Sequence, residues 1–184
     1  MLSGYTGQNS IINDYREYLE RNLNAMRAYM SMPTNKWDQL QWIGFYADLR
    51  RKFAIAGDWG YVPNQRGGFQ AFWWHRQIME DCAIYLQLEE ERLCFKVEVE
   101  DKEARKPLRS KWHEIILRKA RELDVPVSAP KRFGSGQCMT VCILDKDYRE
   151  ARRGALDLER TVRWLKKAEM VLDLAREQEI NSCA

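Results

Sequence analysis

From residue 10 to residue 31, apolar side chains return every three or four positions: Ile12, Tyr15, Leu19, Leu23, Met26 and Met30. That spacing places them on one side of a helix. Asn9 or Ser10 can cap its start, Tyr18 and Tyr29 widen the stripe, and Pro33 closes it. A second helical pattern covers 36–55, where Trp42, Phe45, Tyr46, Leu49 and Phe53 share a face and Thr34 or Asn35 can cap. Arg50, Arg51 and Lys52 fall near its end, where cations suit the helix dipole. Gly57 ends the pattern. A short proline-containing loop between two helices predicts a helical hairpin or an angled pair.

The period then changes from helical to alternating. Residues 59–62 are short and apolar, 63–68 are a turn in which Gly67 can take dihedrals that other residues avoid, and 69–75 read as a strand. Residues 83–88 and 93–100 form the clearest alternating pair, joined by the polar turn 89–92. One face of this hairpin carries Ile84, Leu86 and Leu88, then Leu93, Phe95, Val97 and Val99. The other carries Asp81, Tyr85 and Gln87, then Cys94, Lys96, Glu98 and Glu100. The greasy face has to be covered, most simply by a helix. Beyond the charged stretch 101–109, Ser110 can cap a helix to Leu123, with Trp112, Ile115, Ile116, Ala120 and Leu123 inward. A loop, a strand at 138–144 and a helix from about 156 to 178 complete the order.

Antiparallel strands followed by helix, strand and helix predict an α+β fold of three-layer character, with a central, mostly antiparallel sheet and flanking C-terminal helices. The chain reads as one domain, 1–184, made of a helical arm (1–55) and a sheet-and-helix core (56–184). The arm can pack on another chain or close the back of the sheet.

Composition narrows the class without naming a function. In 184 residues, 45% are apolar and 31% charged, which is ordinary for a globular protein and enough for a sizeable core. Lys and Arg number 30 against 27 Asp and Glu, a net +3 that excludes an acidic tail or a strongly basic coat. Two His make a histidine-built metal centre improbable. The polar start MLSGYTGQNS lacks the pattern of a secretion signal, and no run is long and apolar enough to span a membrane. Five Cys, an odd number, point to a reduced, cytoplasmic setting.

The mixed face of the hairpin is the first candidate for chemistry. Asp81, Lys96 and Glu98 meet there if the strands pair as the turn suggests. Two carboxylates can hold a divalent cation, Mg or Mn, and a neighbouring lysine can orient water or steady a phosphate charge. The bland alternative is a solvated face with Lys and Glu paired across strands. Asp81 followed by a hairpin and Lys96 resembles the catalytic skeleton of the PD-(D/E)XK nuclease superfamily. There, one strand carries an Asp and the next an acid, any residue and a Lys. Cys94 stands in the place of that acid, and Glu80 where proline is typical. The triplet Glu100-Asp101-Lys102 keeps the acid and the lysine at the strand's end. The resemblance implies a restriction-endonuclease-like fold. Its functional implication is a metal-dependent nuclease or a degenerate, nucleic-acid-binding relative, with Asp81, Lys96 and Glu98 as catalytic residues and Asp81 and Glu98 on the metal.

Aromatic residues give the second candidate. Trp59, Tyr61, Phe69, Phe72, Trp73 and Trp74 lie within sixteen residues. Strand parity cannot bury Trp73 and Trp74 against the same layer, so one of them faces a helical arm or a partner. Trp59, Tyr61, Trp73 and Trp74, with the flanking Arg66 and Arg76, are therefore interface candidates. Lys131, Arg132, Arg152 and Arg153 can contact phosphates if the loop and the final helix share a face, although acids are interleaved among the neighbouring bases. Two readings follow. The first is a noncatalytic interaction or assembly module, self-associating or binding a partner protein. The second is the divalent-metal nuclease or its nucleic-acid-binding relative.

Overall fold

The computed structural model describes residues 10–64, 67–152 and 154–183. Helix α1 (Ser10–Arg27) is followed by two short 3-10 turns and by α2 (Gln39–Lys52). Then come strands β1 (Gly57–Asn64), β2 (Gly67–Ile78), β3 (Ala83–Glu89) and β4 (Arg92–Glu98), and helix α3 (Arg105–Glu122). β5 (Val127–Ser128), β6 (Cys138–Leu144), β7 (Ala151–Arg152), β8 (Ala155–Leu156) and α4 (Leu158–Cys183) follow. Six strands form one sheet in the order β1-β2-β3-β4-β6-β5, with every pairing antiparallel. β7 and β8 make a separate ribbon. The α+β class is as expected.

Several element ends differ from the sequence pattern for local reasons. α2 starts at Gln39 because Asp38 makes a capping box: its carboxylate accepts from the Leu40 N–H at 2.8 Å, and its own N–H donates to Gln41 at 3.0 Å. Thr34 and Asn35 lie in a 3-10 turn instead. α3 begins at Arg105, not at Ser110, with Pro107 in the first turn, where its missing N–H costs nothing. β3 and β4 run to within two residues of each other, leaving only Glu90 and Glu91 as the turn.

The greasy hairpin face pairs as parity required: Ile84 opposite Val97, Leu86 opposite Phe95, Leu88 opposite Leu93, all fully buried. Phe72 and Trp74 of β2 lie beside Leu88 and Leu86 on the same side. Tyr46 of α2 stacks on Phe72 at 5.6 Å. Trp74 Nε1 donates to Glu169 of α4 at 2.9 Å, and Cys142, paired with Phe95, meets His113 of α3. α2, α3 and α4 therefore cover one and the same face. This corrects the three-layer expectation: the fold has two layers, and among the described residues no helix covers the opposite face. Apolar parity is continuous on only one side of the sheet; on the other it is interrupted by Asp58, Gln87, Glu89, Lys96 and Glu98.

α1 lies outside this core, against α2. None of its residues is buried. The two helices approach so closely at Gly44 that a Cβ there would sit 2.0 Å from the Met26 carbonyl oxygen. Only glycine fits.

Arg149 fastens the helical pair to the end of the sheet. Its side chain is only 2% exposed. The guanidinium donates to the Thr34 carbonyl at 2.9 Å, to Glu91 at 3.1 Å and to Asp147 at 2.6 Å, and lies 4.9 Å from the Trp42 ring. Burial alone would lower its pKa, but the hydrogen bond and charge of Asp147 outweigh this and raise it. Arg149→Ala removes a buried charge whose carboxylate partners can return to water, so the expected loss is about 2 kcal/mol. Denaturant unfolding measures it. Hydrogen exchange should quicken first in residues 28–52, and Arg149→Lys should not rescue, because lysine lacks the planar fork.

Candidate functional site

The bare face of the sheet is built by the strand parity left over from the core. Asp58, Gly60 and Val62 of β1 lie beside Trp73, Ala71 and Phe69 of β2. Tyr85, Gln87 and Glu89 of β3 come next, then Cys94, Lys96 and Glu98 of β4, then Thr140 and Cys138 of β6. Several of these are buried without a helix above them: Tyr85 is 7% exposed, Gln87 8% and Lys96 8%. They shield one another. The Trp73 ring lies over Gly60, where a Cβ would come within 3.2 Å of it. Beside it opens a cavity of about 690 Å³ lined by Val62, Phe69, Trp73, Tyr85, Lys96 and Glu98, among others. A second cavity, of about 840 Å³, continues toward β6 and shares Lys96 and Cys138 with the first. Together they form a trough across the sheet.

A bulge in β2 shapes one wall. The register with β3 shifts between Trp74 and Gln77, and His75 takes a positive φ of 55°. Asp173 of α4 holds the bulge from the helical side. It accepts from His75 Nε2 at 2.8 Å and from Gln77 Nε2 at 2.5 Å. The extra residue reverses the parity beyond it, so Arg76 emerges on the bare face. There its guanidinium lies 5.8 Å from the Tyr85 ring and donates to Glu98.

The charges at the centre of the trough are paired. Lys96 Nζ donates to Glu89 Oε1 at 3.1 Å and to Thr140 Oγ1 at 3.0 Å. Glu89 also accepts from Gln87 and from Arg92. Glu98 accepts from Arg76 and from Gln137. Burial, then the neighbouring Cys138, pushes the Tyr85 hydroxyl far above its ordinary range. Burial, reinforced by Glu89, pushes the Cys94 thiol up to about 12.

Lys96 and Glu98 do share a face, as expected. Asp81 sits in the bend before β3, outside the strand. It borders a cavity of about 550 Å³ together with Glu98, but Lys96 does not line that cavity. Nor does either acid bond to the lysine, whose ammonium goes to Glu89 and Thr140 instead. Among the described residues, no group of three or more His, Cys, Asp or Glu is placed to hold a metal ion. Cys94, at the position of the missing acid, is a buried thiol.

Of the interface candidates, Trp73 is half-buried in the trough and Arg76 is on its wall. Trp74 is a correction: it is packed in the core at 3% exposure, because parity sends it to the helical side. Trp59 is half-buried on that same side, with Arg50 5.8 Å from its ring. Tyr61 is exposed and its hydroxyl donates to the Gly67 carbonyl at 2.6 Å. Lys131 and Arg132 are exposed and border the larger cavity. Arg152 lies in β7. Arg66 and Arg153 lie outside the described residues.

No protein-family model, curated protein or solved structure matches the chain.

Glu89 is the residue that sequence reasoning missed. The polar run 89–92 reads as turn, yet the alternation 83, 85, 87 continues to 89 without a break. That signal was available. The bulge at His75 had no such signal, since neither glycine nor proline marks it.

Burial separates the cysteines in a measurable way. Cys138 is exposed, whereas Cys94 and Cys142 are buried thiols pushed up to about 12. Iodoacetamide at about pH 8 should modify Cys138 in the folded protein and spare the other two until guanidinium unfolds it. Peptide mass mapping reads this. Labelling of Cys94 as fast as Cys138 would contradict the trough described above.

Proposed function

We propose that the protein is a noncatalytic binding module that takes a partner protein on the bare face of its sheet. The observation that supports this most directly is Trp73. It is a half-buried indole lying across Gly60 at the edge of a 690 Å³ cavity, with Phe69 and Val62 beside it. An aromatic floor bordered by paired charges is the composition of an interface centre.

The charge pattern favours protein over nucleic acid. Arg76 is matched by Glu98, and Lys96 by Glu89, within the chain itself. Phosphate binding draws on an excess of unmatched cations, whereas both cations lining the cavity beside Trp73 are matched and Lys131 and Arg132 border only the larger one. The partner that fits is a protein surface with an apolar anchor for Trp73 and both signs of charge around it.

The edge of the sheet is a poorer docking place than its face. Pro63 brings no N–H to β1, and the Trp59 N–H is taken by the Asp58 carboxylate at 2.9 Å. Both changes remove donors that an added strand would need.

One observation favours a second reading. Asp81 and Glu98 border the 550 Å³ cavity with Glu80, Glu100 and Asp101. In a degenerate PD-(D/E)XK relative this acidic groove would take Mg or Mn and act on nucleic acid.

Full-length tagged protein, recovered from cells that make it, distinguishes the two. The expected result is a defined protein partner that survives nuclease treatment. With that partner purified, Trp73→Ala should raise Kd at least about tenfold. The control Lys131→Ala/Arg132→Ala should change it little. Retention that nuclease abolishes, or Mg- or Mn-dependent cleavage of DNA or RNA lost in Lys96→Ala, would instead establish the second reading.

A further inference from the structure

Helix α1 carries more apolar surface than α2 covers. Ile12, Leu19 and Met26 are half-buried, whereas Tyr15 and Tyr18 are 52% and 55% exposed. Tyr15 and Tyr18 are three residues apart and so adjoin on the helix surface. Tyr15, Tyr18 and Asn22 are spaced three and four, which is the spacing of a coiled-coil seam with one polar position. Asp14 and Arg21 flank this seam on its outer side, both exposed. Neither is committed to another charge among the described residues.

We propose that this face of α1 pairs antiparallel with the same face of a second copy of the chain. A two-fold axis midway between Tyr15 and Tyr18 sets Tyr15 of each copy against Tyr18 of the other. The same rotation sets Asp14 of each copy against Arg21 of the other, so the flanking charges are self-complementary. A parallel pair would instead set Asp14 and Arg21 against the apolar Leu19 and Met26. Ile12 and Leu19, on the α2 side of the seam, complete the contact, and the two α2 helices flank it. The result is a four-helix arrangement in which α1 gains the cover it lacks in the single chain. An aromatic centre bordered by opposite charges is a self-consistent isologous contact. This inference rests on α1 alone and is independent of the trough.

Sedimentation or light scattering of the full chain over a range of concentrations tests it. The wild type should be in monomer–dimer equilibrium. Tyr18→Glu should abolish the dimer while leaving the circular dichroism and Tm unchanged, because the side chain is exposed in the monomer. Asp14→Arg and Arg21→Asp should each weaken the dimer about tenfold, since symmetry doubles each altered contact. The double variant Asp14→Arg/Arg21→Asp should recover wild-type affinity. A wild type that stays monomeric throughout would overturn the proposal. So would a dimer indifferent to Tyr18→Glu, or single-variant losses that the double variant does not restore.

Discussion

The ion pair between Lys96 and Glu89 is the interaction that allows a six-stranded sheet to leave one face without a covering layer. Both side chains are about nine-tenths buried, in the middle of the sheet, where an unmatched charge would be costly. Thr140 takes a further proton of the ammonium, and Gln87 and Arg92 satisfy the carboxylate. Because the centre of the bare face is electrically complete, it needs no helix above it. The apolar side chains around it are left at the surface of a trough rather than in a second core. The same pairing makes Lys96 a poor candidate for chemistry, since two of its three protons are committed to Glu89 and Thr140.

Side-chain parity made half of the trough legible in the sequence. Alternation in 83–88 and 93–100 placed Tyr85, Gln87, Cys94, Lys96 and Glu98 on one side, and the register bears this out. It also required that Trp73 and Trp74 part company, which they do. It could not say which of them would be buried, because that depends on where the helices settle. Asp81 escaped the rule for a simpler reason. Parity reaches a residue only within a strand, and at Asp81 the chain is still in the bend before β3. Arg76 escaped because the bulge at His75 resets the count. Asp173, which holds that bulge, is almost a hundred residues away in sequence, where no local pattern can reveal it.

The fold shows the same division between local and distant causes. Helical periodicity found α1, α2, α3 and α4, and capping chemistry explains the start of α2. The number of layers was not legible, because a helix's apolar stripe does not say which face of a sheet it will meet. Long-range contacts decide that: Tyr46 on Phe72, Trp74 to Glu169, and Arg149 reaching from beyond β6 to the Thr34 carbonyl. Arg149 ties three parts of the chain together. Asp147, Glu91 and Thr34 all depend on one guanidinium, which fixes where the helical pair sits and therefore which sheet face stays open.

The two proposed docking surfaces are compatible in geometry. α1 packs on α2, and α2 packs on the core side of β1 and β2, so α1 and the trough lie on opposite sides of the sheet. A second copy held through α1 would not block the trough of either copy. Each dimer would then offer two troughs joined through helices and sheet rather than through a flexible linker. A partner with two docking sites at matching separation would bind such a dimer more tightly than a single copy, without any new contact, because the second engagement becomes intramolecular. A partner with one site would gain nothing. Such a dimer would therefore favour repeated or symmetric partners, through the placement of the helices on one face rather than through the chemistry of either surface.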